Sequence, residues 1–329
     1  MICAACGSTA VRPKWRKGRY RIVACTECRL AFVTPPPTTM ELAAHYNQMR
    51  VAGNFQRTIT EALRRLEHDR NWPKRDWYDS VLALGRRHCG KDRLDILEVG
   101  AAYGIFVHYA NSSGHHAVGT EVTPEFAEAS RGLIRGEVVH VPDERYEEHF
   151  PPGSFDVVLM EHVLEHMREP RKTLASLRAL LRQDGILVIC VPNHESLAAR
   201  MLGPHWAWVC PPDHVFFYNC TALTRLLKGE GWQIRQEWTA DYFFRSIYQF
   251  YSLDRLVAAP VRAMNKIFRT RLRPREHSYR YPRRFADIMT LLPYWALRPL
   301  LRTAARRGRG SELVVVASKS SNGTAFRPS

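Results

Sequence analysis

Short apolar runs alternate with helical stretches from residue 94 almost to the end of the chain. The apolar runs cover residues 94–99, 116–122, 137–141, 155–160, 185–191, 233–238 and 312–318. The run 185–191 is continuously apolar, as expected for a strand that is buried on both faces. This alternation is typical of an α/β fold with a doubly wound, mostly parallel sheet. The sequence therefore predicts a seven-stranded sheet built from residues 94–240 and 311–319.

The first apolar run ends in a turn that contains Gly100 and Gly104. Glycines at such a turn let backbone N–H groups approach a ligand at a helix N-terminus. Glu121 ends the second run, where an acid can bind ribose hydroxyls. Glu98 precedes the glycines and would repel a pyrophosphate, whereas it suits a ligand with a cationic amino group. The pattern favours a positively charged nucleoside and makes a nicotinamide oxidoreductase the least favoured interpretation.

Four cysteines near the N-terminus have the spacing of a structural zinc ribbon, which we assign to residues 1–34. No basic and apolar export signal is present, and no window approaches the roughly 20 apolar residues of a membrane span. We therefore expect a cytoplasmic chain with reduced thiols, in which paired cysteines bind metal. A helical linker or cap is predicted for residues 35–93. The expected Zn²⁺ ligands are Cys3, Cys6, Cys25 and Cys28.

The formal net charge of +16 is concentrated in two appendages. Residues 1–34 hold seven basic side chains and one acidic one, and residues 255–309 hold fifteen and two. Residues 241–310 form a basic, aromatic-rich insertion with two interpretations. It either docks on an anionic membrane surface, on the inner face of the membrane, or forms a lid or homodimer contact. Residues 320–329 are predicted to be a disordered tail.

The turn Leu97-Glu98-Val99-Gly100-Ala101-Ala102-Tyr103-Gly104 resembles motif I of class I S-adenosylmethionine (SAM)-dependent methyltransferases. Residues 153–158 and 163–166 resemble the signature after the fourth strand in one branch of that family. This branch often carries an N-terminal zinc ribbon and includes sugar and cell-envelope methyltransferases. Residues 191–193 and 213–217 resemble its fifth-strand region. The resemblance implies a Rossmann-like methyltransferase fold with SAM as cofactor.

The resemblance also implies roles for matched residues. Glu98 and the backbone of the first turn would hold the methionine part of SAM. Glu121, at the end of the second strand, would bind the ribose. Asp143, after the third strand, would contact the adenine. Two residues after the fourth strand border the cofactor. Ala102 stands where the family more commonly has glycine. The implied cofactor-binding residues are Glu98, Gly100, Ala102, Gly104, Glu121, Asp143, Glu161 and His162.

Methyl transfer is a direct displacement, so alignment of the reactants supplies much of the rate. A histidine suits the base that an oxygen or carbon acceptor needs. His214, preceded by Asp213 as an acid–histidine pair, follows the fifth strand at the ligand-binding edge of the sheet and is the first candidate. His166 is the second. The alternatives are that His214 only hydrogen-bonds its loop and that His166 only caps a helical turn.

We expect an enzyme that methylates oxygen or carbon of a sugar, a cell-envelope glycan or a lipid-linked acceptor, with His214 as general base. The acceptor is a small molecule or glycan, whose identity the residues leave open. One alternative is an RNA methyltransferase that uses the ribbon and the basic insertion. Nucleic acid is disfavoured because Glu161-His162 replaces the Asn/Asp-Pro-Pro-aromatic pocket of base-amino methylation. The other alternative is a SAM-binding scaffold without turnover.

Overall fold

The computed structural model describes residues 2–38, 40–42, 55–69, 72–142, 145–240 and 303–320 of the 329. The strands are β1 (Val11–Lys17), β2 (Tyr20–Cys25), β3 (Ala31–Thr34), β4 (Asp95–Val99), β5 (His116–Glu121), β6 (Glu137–His140), β7 (Phe155–Glu161), β8 (Leu181–Pro192), β9 (Phe216–Phe217), β10 (Trp232–Ala240) and β11 (Glu312–Lys319). The α-helices are α1 (Phe55–His68), α2 (Pro73–Cys89), α3 (Ile105–Ser112), α4 (Pro124–Ser130), α5 (Pro170–Leu180), α6 (Leu197–Leu202) and α7 (Cys220–Gly229).

The predicted seven-stranded sheet is confirmed, with the order β10-β11-β8-β7-β4-β5-β6. The strands β6, β5, β4, β7 and β8 pair in parallel, while β11 is antiparallel to both of its neighbours. The chain enters the sheet at β4, extends to the β6 edge and then returns to β7 on the other side of β4. Ligands of open α/β sheets bind at such a switch point, beyond the carboxyl ends of the strands.

Both faces of the sheet are buried, which explains why its central strands are apolar without alternation. Leu97 and Val158 point into one core, and their neighbours Ile96 and Val157 point into the other. Helices α5 and α7 cover the first face, and α2 and α3 cover the second. The sheet is thereby fixed as a rigid support for the loops at its carboxyl edge.

The N-terminal ribbon is joined to this body by a shared sheet with the order β1-β2-β3-β9. Strand β9 comes from the segment just after His214, and it pairs Phe216 with Phe32 of β3. The guanidinium of Arg171 in α5 also donates to the carbonyl oxygen of Ala4, at 2.7 Å. The ribbon and the loop that carries His214 therefore stabilise each other.

Within the described part of residues 35–93, the chain forms α1, α2 and a short helical segment after Thr38. A helix begins after Thr38, whose Oγ1 accepts a hydrogen bond from the Glu41 backbone N–H, while a Glu41 carboxylate oxygen accepts one from the Thr38 N–H. This reciprocal capping box is a known helix start. Most of the basic insertion (residues 241–302) and the tail after residue 320 lie outside the described residues. No helix within the described ranges is long and apolar enough to cross a membrane.

Candidate active site

The turn after β4 has a left-handed backbone at three positions. Gly100, Ala102 and Gly104 have φ angles of +67°, +46° and +68°. A Cβ atom on Gly100 would lie 2.6 Å from Val163, and one on Gly104 would lie 2.5 Å from Ile134, so both positions require glycine. Ala102 adopts the same conformation although it carries a Cβ atom. The left-handed turn therefore forms with alanine at the position where the family more commonly has glycine.

Glu121 ends β5 beside this turn and is buried. Its two carboxylate oxygens accept hydrogen bonds from the backbone N–H groups of Ala102 and Thr123, both at 2.9 Å. Burial raises the pKa of Glu121, and these backbone donors act in the opposite direction. The strand end and the glycine turn are thus held together at the expected ribose position. Asp143, the expected adenine contact, lies outside the described residues.

Two buried carboxylates share one cation at the ends of β4 and β7. Lys74 of α2 places its Nζ 3.4 Å from Oε1 of Glu161, whose side chain is 6% exposed. Burial and then the charge of Glu161 raise the pKa of Glu98 well above its usual range. One Glu98 oxygen has no hydrogen-bond partner in the described part of the chain. The arrangement can accept a cationic amino group, which would offset the repulsion between the two acids.

An aromatic stack lies beyond the end of β7. His162 has φ +54° and is held by the hydrogen bond from its N–H to the carbonyl oxygen of Cys190 in β8. Its ring stacks on Trp208 at 4.6 Å, and Trp208 stacks on His214 at 5.5 Å. The fold therefore brings the loop after β7 and the loop before β9 into contact, at the edge of the sheet where ligands bind.

The acid–histidine pair in this region is Asp213 with His166. The sequence pairs Asp213 with its neighbour His214, but its Oδ1 and its carbonyl oxygen each lie 3.0 Å from Nδ1 of His166. The ring of His214 packs edge-on against His166, with 4.6 Å between the ring centres. The two candidate histidines are therefore direct neighbours, and the aspartate orients the second of them.

The two rings have opposite tendencies to bind a proton. Burial opposes the charged form of His166, but the hydrogen bond and charge of Asp213, together with Glu165, outweigh it and raise the pKa of His166 to about 9. Burial and then the charge of His166 lower the pKa of His214 to about 4. At neutral pH the site therefore contains a cationic His166 beside a neutral His214.

Two residues of this site were not among those expected from the sequence. Lys74 lies in a helix of the linker, and no motif marks it. Glu165 belongs to a segment that resembles the family signature, and His162-x-x-Glu165-His166 also has the spacing of an inverted metalloprotease motif, which is disfavoured in a methyltransferase-like body. Neither pattern predicts that Glu165 lies beside both candidate histidines. The Glu165 carboxylate is completely buried, with Oε1 3.4 Å from Nδ1 of His162 and 4.0 Å from Nε2 of His166. Only tertiary packing identifies these two residues.

The four expected metal ligands converge in the ribbon. Their sulfur atoms all lie within 4.8 Å of one another, and the pairs Cys3–Cys28 and Cys6–Cys25 are 3.5 and 3.6 Å apart. Tetrahedral Zn²⁺ with Zn–S bonds of about 2.3 Å needs sulfur separations of about 3.8 Å. The two cysteine loops have the same local geometry, since the residue after the second cysteine of each loop, Gly7 or Arg29, has a positive φ. These donors fit a structural Zn²⁺.

Comparison with known proteins gives a family for the chain. The profile of the family described as "Methyltransferase domain" matches residues 64–237. The ubiquinone biosynthesis O-methyltransferase of Schizosaccharomyces pombe mitochondria is 26% identical over 200 residues, which cover 54% of this chain and 72% of that protein. The ubiquinone biosynthesis O-methyltransferase of Aeromonas salmonicida is 27% identical over 150 residues, which cover 43% of this chain. The chain spans 63% of the length of that bacterial relative, less than two thirds.

Among solved structures, the 1,6-didemethyltoxoflavin-N1-methyltransferase of Burkholderia thailandensis, with bound S-adenosylhomocysteine, is similar to this chain. The identity is 16% and the TM-score 0.46, and the match covers 94% of this chain and 99% of that one.

Proposed function

This chain belongs to the family of methyltransferase domains and is a SAM-dependent methyltransferase, and we propose that it methylates an acidic hydroxyl group of its acceptor. The observation that carries the proposal is the edge-on contact between His214 and His166, whose Nδ1 lies 3.0 Å from Oδ1 of Asp213. A pKa of about 4 for His214 and of about 9 for His166 makes the first ring neutral and the second cationic at neutral pH. A proton acceptor and a positive charge thus lie side by side at the edge of the sheet where α/β proteins bind ligands.

We assign the cofactor to the crevice at the ends of β4, β5 and β7. Glu98 and Glu161 suit the amino group of SAM because they are buried acids beside the single cation of Lys74, and an arriving amino group would favour the ionised form of Glu98. Glu121 suits the ribose hydroxyls, since it ends β5 next to the glycine turn. Bound SAM supplies a methyl group on a cationic sulfur. The assignment of Asp143 to the adenine stays a prediction.

In the proposed reaction, His214 takes the proton of the acceptor hydroxyl. The electron pair of that oxygen forms the new bond to the methyl carbon, and the electrons of the broken carbon–sulfur bond stay on sulfur. The His166 cation stabilises negative charge on the oxygen as the proton leaves. Trp208 stacks on the ring of His214, which is only 3% exposed, and this low exposure to water strengthens the charge interactions of that ring.

The protonation states limit the acceptor. A base with a pKa of about 4, as burial gives His214, is effective only toward a hydroxyl that is itself acidic, such as a phenol or an enol. The two relatives described above are both named O-methyltransferases, which supports oxygen as the methyl acceptor. Their names refer to ubiquinone biosynthesis, so the expected sugar or envelope-glycan acceptor gains no support from them.

We also propose that Cys3, Cys6, Cys25 and Cys28 bind one structural Zn²⁺. Four protein thiolates complete a tetrahedral shell and leave no position for a substrate. Because β9 joins the ribbon to the segment after His214, the ion would support the acceptor side of the active site. Docking of residues 241–310 on an anionic membrane, or on a second copy of the chain, stays a prediction.

Isothermal titration with S-adenosylhomocysteine, followed by transfer of labelled methyl groups to a panel of acceptors, tests the proposal. The panel contains phenols, nucleotide sugars and total RNA. Binding together with labelling of a phenol is the expected result. Labelling of sugars alone would restore the acceptor expected from the sequence, and salt-sensitive labelling of RNA would favour the RNA enzyme. Binding without transfer to any acceptor would favour the scaffold.

A further inference from the structure

Glu165 is a buried acid that the proposed reaction does not yet use. Its side chain is 1% exposed, and the nearest imidazole nitrogens are Nδ1 of His162 at 3.4 Å and Nε2 of His166 at 4.0 Å. An isolated carboxylate at this depth would cost several kcal/mol, so a chain retains one only where cations or donors offset it. The imidazoles around Glu165 are the groups that can do so.

The charges around Glu165 support this view. Burial alone would raise the pKa of Glu165, but the contact with His162 and then the charge of His166 outweigh burial and lower it. Burial is the largest cause that raises the pKa values of Cys190, Cys210 and Tyr218, so these groups are neutral at physiological pH. The titratable groups that face Glu165 are His162, His166, His214, Asp213, Cys190, Cys210 and Tyr218.

The backbone of Glu165 also fixes the distance between the two catalytic candidates. Its carbonyl oxygen accepts hydrogen bonds from the N–H groups of Val215 and Phe216, at 2.9 and 3.0 Å. His166 is the next residue after Glu165, and His214 is the residue before Val215. The same residue therefore ties together the two loops that carry the histidines and places a negative charge between them.

We propose that Glu165 is a positioning residue that keeps the proton on His166 at rest and stabilises the proton that His214 takes from the acceptor. This role rests on the proposed function, because the proton on His214 comes from the acceptor hydroxyl. Asp213 alone would suffice to orient His166, whereas the second acid lies close enough to act on both rings. The proton on His214 returns to solvent after transfer.

The test follows His166 by NMR in isotope-labelled, cofactor-free full-length protein, so its outcome does not depend on turnover. In the wild type, we expect the titration midpoint of His166 to lie above pH 8. In Glu165→Gln, the midpoint should fall by about one pH unit or more. Glu169→Gln is the matched control: it removes an acid near the start of α5 that is 72% exposed, and the midpoint should not change.

The same variants are then assayed for methyl transfer between pH 5 and 10. In Glu165→Gln, the alkaline limb of kcat should move to lower pH by the same number of pH units as the His166 midpoint, with little change in KM. In Glu165→Asp, the alkaline limb should return most of the way to its wild-type position. A wild-type midpoint near 6.5, or an unchanged midpoint in Glu165→Gln, would overturn the proposal. So would turnover that depends on an added divalent cation and is lost with Glu165, because the acid would then be a metal ligand. Failure of the proposed function alone would leave the NMR result intact.

Discussion

The carboxylate of Asp213 lies 3.0 Å from Nδ1 of His166, although the two residues are 47 positions apart in the sequence. This contact decides which of the two neighbouring imidazoles is charged. Because Asp213 holds the proton on His166, the His166 cation disfavours a second proton on His214. The order of proton affinities, and with it the choice of base, is set by tertiary structure.

Asp213→Asn should narrow the active pH range from its alkaline side. The acid raises the pKa of His166 to about 9, so its removal should move the alkaline limb of kcat down by about one to two pH units. The pH profile of methyl transfer checks this. Asp184→Asn, at an exposed acid at the other end of β8, is the control. An unchanged alkaline limb in Asp213→Asn would show that His166 does not titrate in the reaction.

Binding of S-adenosylhomocysteine should release protons at pH values below the raised pKa of Glu98 in the free protein. Burial and Glu161 raise the pKa of Glu98, and an arriving amino group would lower it again. Affinity should therefore increase with pH until Glu98 is fully ionised in the free protein. Calorimetry in buffers of different ionisation enthalpy measures the release.

Glu98→Gln should abolish this release and weaken binding at least tenfold, which corresponds to about 1.4 kcal/mol. Glu137→Gln, which alters an exposed acid on β6, should change neither quantity. Equal proton release by the wild type and Glu98→Gln would contradict the assignment of the amino group to this acid.

Loss of the ribbon metal should impair turnover more than cofactor binding. We expect one zinc per chain by elemental analysis, and Cys28→Ser should lose it. Because β3 pairs with β9 two residues after His214, kcat should fall while the Kd for S-adenosylhomocysteine stays within about threefold. Cys89→Ser, outside the ribbon, is the control. A metal-free variant with full kcat would contradict the coupling.

Two alanine substitutions, one in the glycine turn and one just before β7, separate steric clash from backbone strain. Gly104 and Gly153 have φ angles of +68° and +66°, but only Gly104 has atoms within 4 Å of the added Cβ. Gly153→Ala should cost about 1 kcal/mol of unfolding free energy, and Gly104→Ala about 3 kcal/mol. Urea unfolding measures both. Equal losses would mean that the turn relaxes around the new methyl group.

The sequence predicts the parts of this molecule that follow from periodicity and spacing. Two-sided burial makes residues 157–160 of β7 and 186–191 of β8 continuously apolar, the left-handed turn requires Gly100 and Gly104, and the cysteine pairs have the spacing of a zinc ribbon. These features are local, so the residues that form them are close together in the chain. They predict the sheet and the cofactor side of the site.

The acceptor side depends on contacts between irregular segments. The loop after β7 and the loop before β9 have no repeating pattern, so nothing in the sequence shows that Asp213 turns toward His166. In the same way, Lys74 reaches Glu161 only because α2 packs across the sheet. The pairing of β9 with the ribbon joins segments that are almost two hundred residues apart. Side-chain direction in such segments is a property of the folded molecule.

The most direct test of the central claim compares binding and turnover in His214→Ala. With a phenolic acceptor at pH 7.5, the variant should bind S-adenosylhomocysteine with a Kd within about twofold of the wild type, while kcat falls by a factor of about 100 or more. His205→Ala, which changes an exposed histidine, should alter neither value. A His214→Ala variant that keeps its full kcat would contradict the account.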